Sequence, residues 1–137
     1  MSIYIDTSVV VSFFIRDDHA EAARRWAATG PQVATSDWTA AEFSSALSHH
    51  VRLGALSDRE RKAAEFAFDR WAAHGLVLEV ARERFHDARV LMQAHHRLRA
   101  PDALHLAIAR HQGLPLATLD QDMRDAALAE GMEVIDL

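Results

Sequence analysis

Ser2-Ile3-Tyr4-Ile5-Asp6-Thr7-Ser8 is a short β-branched and aromatic run that breaks off at an acid followed by two hydroxyl residues. A run of this kind, bounded by a polar turn, reads as a buried strand that delivers Asp6 to its carboxyl end. Val9 to Ile15 continue apolar, which predicts the first turns of a helix packed on the sheet. A strand that feeds a helix in this way implies a parallel neighbour, because parallel strands need a crossover between them.

The same alternation continues outward from that stretch. Asp17 or Asp18 can cap a helix over Ala20 to Ala28, which Gly30-Pro31 ends. Gln32 to Thr35 reads as a second strand, and Ser36 or Asp37 can cap a helix from Trp38 to Leu53 that carries Glu42 in its first turns and closes at Gly54. Ser57 and Glu60 have capping-box spacing and start a helix bearing Phe66, Phe68 and Trp71 that stops at Gly75. Leu76 to Val80 is a third strand. A helix through Phe85, Ala88, Leu91 and Met92 follows, then the basic stretch His95 to Arg99. Pro101 suits a first helical position, so Asp102 falls in the first turn of a helix running to Gly113. Leu116 to Leu119 is a fourth strand with Asp120 directly behind it, Met123 to Glu130 a last helix, and Glu133 to Ile135 a final strand. The expected fold class is α/β: one domain over residues 1–137, with a central parallel sheet and helices on both faces.

Bulk properties are compatible with that domain and narrow its chemistry. The chain has 137 residues, half of them hydrophobic, enough for one buried core. It has no cysteine, which excludes disulfides, thiolate metal sites and cysteine nucleophiles and leaves oxygen and histidine as metal ligands. Met1 to Asp6 lacks the basic start and apolar stretch of a signal peptide, and no window of ~20 apolar residues is present, so a cytoplasmic protein without membrane insertion is expected. The net charge of −5 argues against a passive nucleic-acid binder, which usually leaves a basic footprint. Of the fifteen basic side chains all but Lys62 are arginine, a bias that favours forked phosphate contacts and also follows from a GC-rich genome.

Ligands of open parallel sheets bind beyond the carboxyl ends of the strands. Acidic residues recur at those ends: Asp6 and Asp120 follow strands, and Glu42 and Asp102 lie in early turns of helices that leave the same edge. Four carboxylates in one crevice repel one another unless they take up protons or bind a cation, and all-oxygen sites suit Mg²⁺ or Mn²⁺. Such an ion activates water and neutralises charge on a scissile phosphate. The competing reading makes Asp6, Asp102 and Asp120 simple caps and turn formers.

The blocks Ile5-Asp6-Thr7-Ser8, Thr39-Ala40-Ala41-Glu42, Arg99-Ala100-Pro101-Asp102-Ala103-Leu104-His105-Leu106-Ala107 and Thr118-Leu119-Asp120 resemble, in this order, those of PIN-domain ribonucleases. The third block, with the small size of the chain, is similar to VapC-type toxins of toxin–antitoxin pairs. The resemblance implies a metal-dependent endoribonuclease that uses Asp6, Glu42, Asp102 and Asp120 as its acidic quartet, with Asp6 and Asp102 central to the first metal. Asp122 is the alternative to Asp120, or a contact to a second ion. Thr7, Ser8 and Thr118 would supply hydroxyls near metal water or phosphate. A homodimer and a cognate antitoxin whose C-terminal segment covers the acidic pocket are also implied.

Arg97 and Arg99, just before Asp102, are the nearest candidates for phosphate contact, against a solvated loop as the alternative. His49-His50 and His95-His96 lack a partner at the spacing of a helical metal clamp and read as surface residues. His105 either faces the site or is satisfied by packing. Trp38 is a core residue or stacks on a base. The runs Val10-Val11 with Phe13-Phe14 and Ala63-Ala64 with Phe66 and Phe68 exceed the needs of one small core and suggest an interface. Two rival functions stand: an inactive PIN-like protein that only binds RNA or a partner, and a haloacid-dehalogenase-like phosphatase. The latter lacks a second aspartate two positions after Asp6, where Ser8 stands, and a suitably placed lysine.

Overall fold

The computed structural model describes residues 1–137. Its elements follow in the order β1 (Ile3–Ile5), α1 (Thr7–Phe14), α2 (Ala20–Ala28), β2 (Val33–Ser36), α3 (Asp37–Arg52), α4 (Asp58–Ala73), β3 (Leu76–Leu78), α5 (Glu83–Ala94), α6 (Ala100–Gln112), β4 (Leu116–Ala117), α7 (Gln121–Ala129) and β5 (Val134–Ile135). The five strands form one sheet in the order β3-β2-β1-β4-β5. Every neighbouring pair is parallel. The chain leaves β1 toward β2 and β3, then returns to β4 on the other side of β1. A crevice therefore opens between β1 and β4 at their carboxyl ends, where the strand order reverses.

Successive strand residues point to opposite faces, and the sheet has a separate core on each. Tyr4, Ala34 and Leu116 face a cluster with Ala88 and Leu91 of α5, Leu104 to Ala109 of α6 and Met123 and Ala127 of α7. Ile5 and Ala117, their neighbours in β1 and β4, face Val9 and Val10 of α1, Phe43 and Leu47 of α3 and Phe68 of α4. This second core accounts for the apolar surplus that suggested an interface. Val10, Val11, Ala64 and Phe68 are buried, Phe13 and Phe14 pack against the cluster, and Ala63 and Phe66 are left exposed. A sheet covered on both sides simply needs two apolar layers.

The densest part of that layer is aromatic. Phe43 stacks on Phe68 with ring centroids 4.4 Å apart, and Phe14 meets Phe43, Phe68 and Trp71 edge-on. Phe43→Ala is expected to cost about 3–5 kcal/mol of stability, which urea unfolding would read as a lower midpoint at unchanged slope.

Most helix boundaries obey the local signals. Ser57 Oγ accepts from Glu60 N while Glu60 Oε1 accepts from Ser57 N, the reciprocal box expected at the start of α4. Gly113 ends α6 in the left-handed conformation at φ 65°, which a residue with a Cβ rarely adopts. Some boundaries depart from expectation; β3, for one, ends at Leu78 and not at Val80. Neither Asp17 nor Asp18 caps α2; its N-cap is His19, and Asp17 instead accepts from His19 N and from Ser12 Oγ, bracing the turn before the helix. The fourth strand stops at Ala117, because Thr118 turns to bond side chains at the crevice.

Candidate active site

Asp6 is delivered by β1 and caps α1, its Oδ1 accepting from Val9 N at 3.3 Å. Ser8 Oγ donates to the same oxygen at 2.6 Å, and Thr118 Oγ1 donates to Oδ2 at 2.7 Å. Each hydroxyl is itself fixed by a backbone donor: Leu119 N donates to Ser8 Oγ across the crevice, and Asp120 N donates to Thr118 Oγ1 within the β4–α7 turn. The β4–α7 turn is thereby tied to the end of β1 through the Asp6 carboxylate. Burial pushes the Asp6 carboxyl above its ordinary value, against the opposing pull of His105 and of the hydrogen bonds from Ser8, Thr118 and Val9.

Glu42 projects from α3 in its second turn. Its Oε1 accepts from Thr7 Oγ1 at 2.8 Å and lies in close hydrogen-bond contact with His105 Nε2. His105 is only 1% exposed, and its Nδ1 lies 2.7 Å from the Tyr4 hydroxyl, which in turn sits 2.9 Å from Ser36 Oγ. Burial raises the Tyr4 pKa, so this hydroxyl keeps its proton and can hold the imidazole from behind. Burial also acts to raise Glu42, but the bond and charge of His105, the bond from Thr7 and the charge of Arg99 outweigh it and hold Glu42 below the usual range.

Asp102 sits in the first turn of α6, and Arg99, one turn earlier, approaches its Oδ2 at 3.7 Å. Burial, then the charge of Asp120, with smaller contributions from Asp6 and Glu42, pushes the Asp102 carboxyl up to about 6, against the pull of Arg99. Asp120 caps α7 through Met123 N at 2.7 Å and faces the crevice. All four expected acids thus line one open cleft of about 670 Å³ together with Thr7, Ser8 and His105.

The other expected residues are divided by the fold. Arg99 lines the cleft, whereas Arg97 pairs with Asp122 at 2.8 Å and neither of these two belongs to the lining. Asp122, in the first turn of α7, is held on Arg97 and does not join the quartet in the cleft lining. Thr118 lies behind Asp6 rather than on the cleft wall, and Thr7 and Ser8 use their hydroxyls on carboxylates. As placed, these hydroxyls orient the acids rather than await a phosphate. Trp38 packs against the core on the α5–α6 side of the sheet and is not part of the cleft lining. The basic stretch is pinned at its start, where His95 Nε2 meets Glu130 at 2.7 Å.

The cleft also holds residues that the sequence did not single out as a group: Asp17, His19, Ser45, His49 and Arg52. Ser45, His49 and Arg52 follow Glu42 at spacings of three, seven and ten, which is one helical face, so a signal was present. His105 had an equally plain signal, three residues after Asp102 on the same helix. Tyr4, its buried partner, and Ser36, which bonds Tyr4 in turn, come from distant strands and had none.

The donor set suits a hard divalent cation. Every carboxylate in the quartet is an oxygen ligand, and their mutual repulsion, which adds to burial in raising Asp102, is what a cation would relieve. No three acidic or histidine side chains are gathered tightly around one point.

The family model of the PIN domain matches residues 3–128. Ribonuclease VapC46 of Mycobacterium tuberculosis is 37% identical over 142 aligned residues, which take in 98% of this chain and 96% of that protein. The crystal structure of VapC20 from the same organism, described as a sarcin-ricin-loop-cleaving toxin, superposes with a TM-score of 0.75 at 26% identity, covering 99% of this chain and all (100%) of the other. VapBC-5 of that organism, described as a member of the VapBC family of toxin–antitoxin systems, reaches a TM-score of 0.64 at 27% identity over 99% of this chain and 98% of its own. With the fold, the ordered blocks and the convergent acids in agreement, the chain belongs to the PIN-domain family, among its VapC-type members.

Proposed function

We propose that this protein is a divalent-cation-dependent endoribonuclease that acts as the toxin of a toxin–antitoxin pair. One observation carries the reading: Asp6, Glu42, Asp102 and Asp120, drawn from four separate elements, line a single cleft in which burial, and then the charge of its acidic neighbours, raises Asp102. Such an arrangement is costly in a bare protein and useful beside a phosphodiester. When bound, Mg²⁺ or Mn²⁺ supplies neutralisation of phosphate charge and activation of the attacking water.

The chain's own residues do the rest. Ser8 and Thr118 hold the Asp6 carboxylate in one orientation, and Thr7 with the His105–Tyr4–Ser36 chain holds Glu42. Asp102 and Asp120 complete the acidic wall, and Arg99 stands at its rim to meet the RNA backbone. Cleavage is expected to leave a 3′-hydroxyl and a 5′-phosphate. The same acidic cleft suits a basic side chain from a cognate antitoxin as inhibitor, and a homodimer is proposed in which the exposed Phe66 of α4 takes part.

The test incubates the purified chain, free of antitoxin, with total RNA in Mg²⁺ or Mn²⁺, with and without chelator, and maps the ends by sequencing. Discrete cuts that chelation abolishes and excess cation restores are expected. Cleavage that survives chelation would overturn the mechanism, and absence of any cleavage would favour a protein that only binds RNA or a partner.

A further inference from the structure

We propose that the face of α3 beyond Glu42, formed by Ser45, His49 and Arg52, is a track for the RNA strand flanking the cut, with Arg52 holding a phosphate that is not the reacting one. The proposal rests on the ribonuclease reading and adds to it where the substrate lies. At 1.5 Å per residue, Arg52 stands ~15 Å along the helix axis from Glu42. That span is too long for the guanidinium to serve the phosphate at the acids and short enough for an adjoining part of the same strand. All three side chains are exposed and line the same cleft as the quartet.

Charge explains why such a track is needed. A cleft walled by carboxylates repels an approaching polyanion, so cations must lie where the acids do not cancel them. At physiological ionic strength a charge is largely screened beyond ~8 Å. Arg99, leaning toward Asp102 at 3.7 Å, is partly spent on the acids. Arg52 has no carboxylate within ion-pairing distance and remains available to phosphate, for which a planar guanidinium offers a forked pair of donors. A cation in the last turn of α3 also complements the helix dipole. That local reason accounts for a positive charge there, but not for a face that continues through His49 and Ser45 to Glu42 and opens on the acidic cleft. His49 and Ser45 can hydrogen-bond sugar or base edges, and an imidazole can stack on an unpaired base.

The experiment uses the full chain and a single-stranded RNA oligonucleotide that contains a mapped cut site. Arg52→Ala is expected to raise KM about tenfold with kcat within about twofold, and to make the dependence of log binding constant on log salt shallower by about 0.7, the loss of one phosphate contact to a single strand. Arg52→Lys keeps the salt slope, and Arg59→Ala, an exposed arginine of α4 away from the cleft, leaves KM and slope as in the wild type. Shortening the oligonucleotide on one side of the cut removes the difference between wild type and Arg52→Ala, whereas shortening the other side does not. Unchanged KM and slope in Arg52→Ala, or a fall in kcat alone, overturns the track while wild-type cleavage leaves the ribonuclease reading intact. A wild-type protein that cuts no RNA defeats that reading, and the salt slope of RNA binding then judges the track by itself. Failure of binding as well sinks both.

Discussion

Asp6→Asn is expected to lower RNA cleavage by more than ~100-fold and to leave the protein folded. Removing a residue that merely supports a metal ligand typically costs about 10–100-fold, so loss of a charged ligand at the centre of the cleft should cost more. Stability should change little, because two effects oppose each other. The buried Asp6 carboxylate is raised above its ordinary pKa, so a neutral amide of the same shape removes an unfavourable charge. Against this, one amide N–H₂ must face either Ser8 Oγ or Thr118 Oγ1, each of which now donates to a carboxylate oxygen. Both hydroxyls can rotate to accept, at the cost of about one hydrogen bond, ~1 kcal/mol. Cleavage time courses and thermal melting of the same preparations check the pair of outcomes. Activity within tenfold of wild type would remove Asp6 from the reaction, and collapse of the fold would make its role structural.

The second large effect joins cation binding to pH. Mg²⁺ or Mn²⁺ at a hundred times its dissociation constant should stabilise the protein by about 2.7 kcal/mol, which raises Tm by roughly 8 °C in a domain of this size. The shift should be full at pH 8 and shrink toward pH 5, since Asp102 titrates at about 6 and a cation must then displace its proton. In the cation-free protein the dependence has the opposite direction. A carboxyl raised in the folded state binds its proton there before the unfolded chain does. Its contribution therefore increases stability as pH falls from above 6 toward the unfolded value near 4, and weakens stability as pH rises. Glu42, lowered in the fold, adds stability above its ordinary value of 4.5 and loses it as pH falls below. Melting curves at pH 5 and 8, with cation and with chelator, separate these contributions. Asp102→Asn should abolish most of the cation shift. A cation shift equal at both pH values, or one retained in Asp102→Asn, would show that this carboxylate is not where the ion binds.

The local signals read well because they are short-range. A strand ended by Asp6, a capping box at Ser57 and Glu60, Pro101 at the head of α6 and Gly113 at its end each act within a few residues, and the chain obeys them. The alternation of strands and helices carried the parallel sheet, and strand-edge position brought the four acids together before any distance was known. What the sequence did not show lay across the sheet. Most of the apolar surplus in α1 and α4 serves a second core, which cannot be seen in one dimension, and Phe66 is left outside it. Arg97 and Asp122 looked available to the site because their pairing, between a loop and a helix far apart in sequence, is invisible until both are placed.

The sequence by itself determined that Asp6 and Asp120 would stand at strand ends and that Glu42 and Asp102 would leave from the same edge, since backbone propensity and hydrophobic alternation decide those positions. Only the tertiary structure decided how the carboxylates are held. Thr118 reaches Asp6 across 112 positions of sequence, and Tyr4 reaches His105 across 101. Such bonds form between side chains that meet only when β1, β4, α3 and α6 are packed around one crevice. The burial that closes them together is also what raises Asp6 and Asp102.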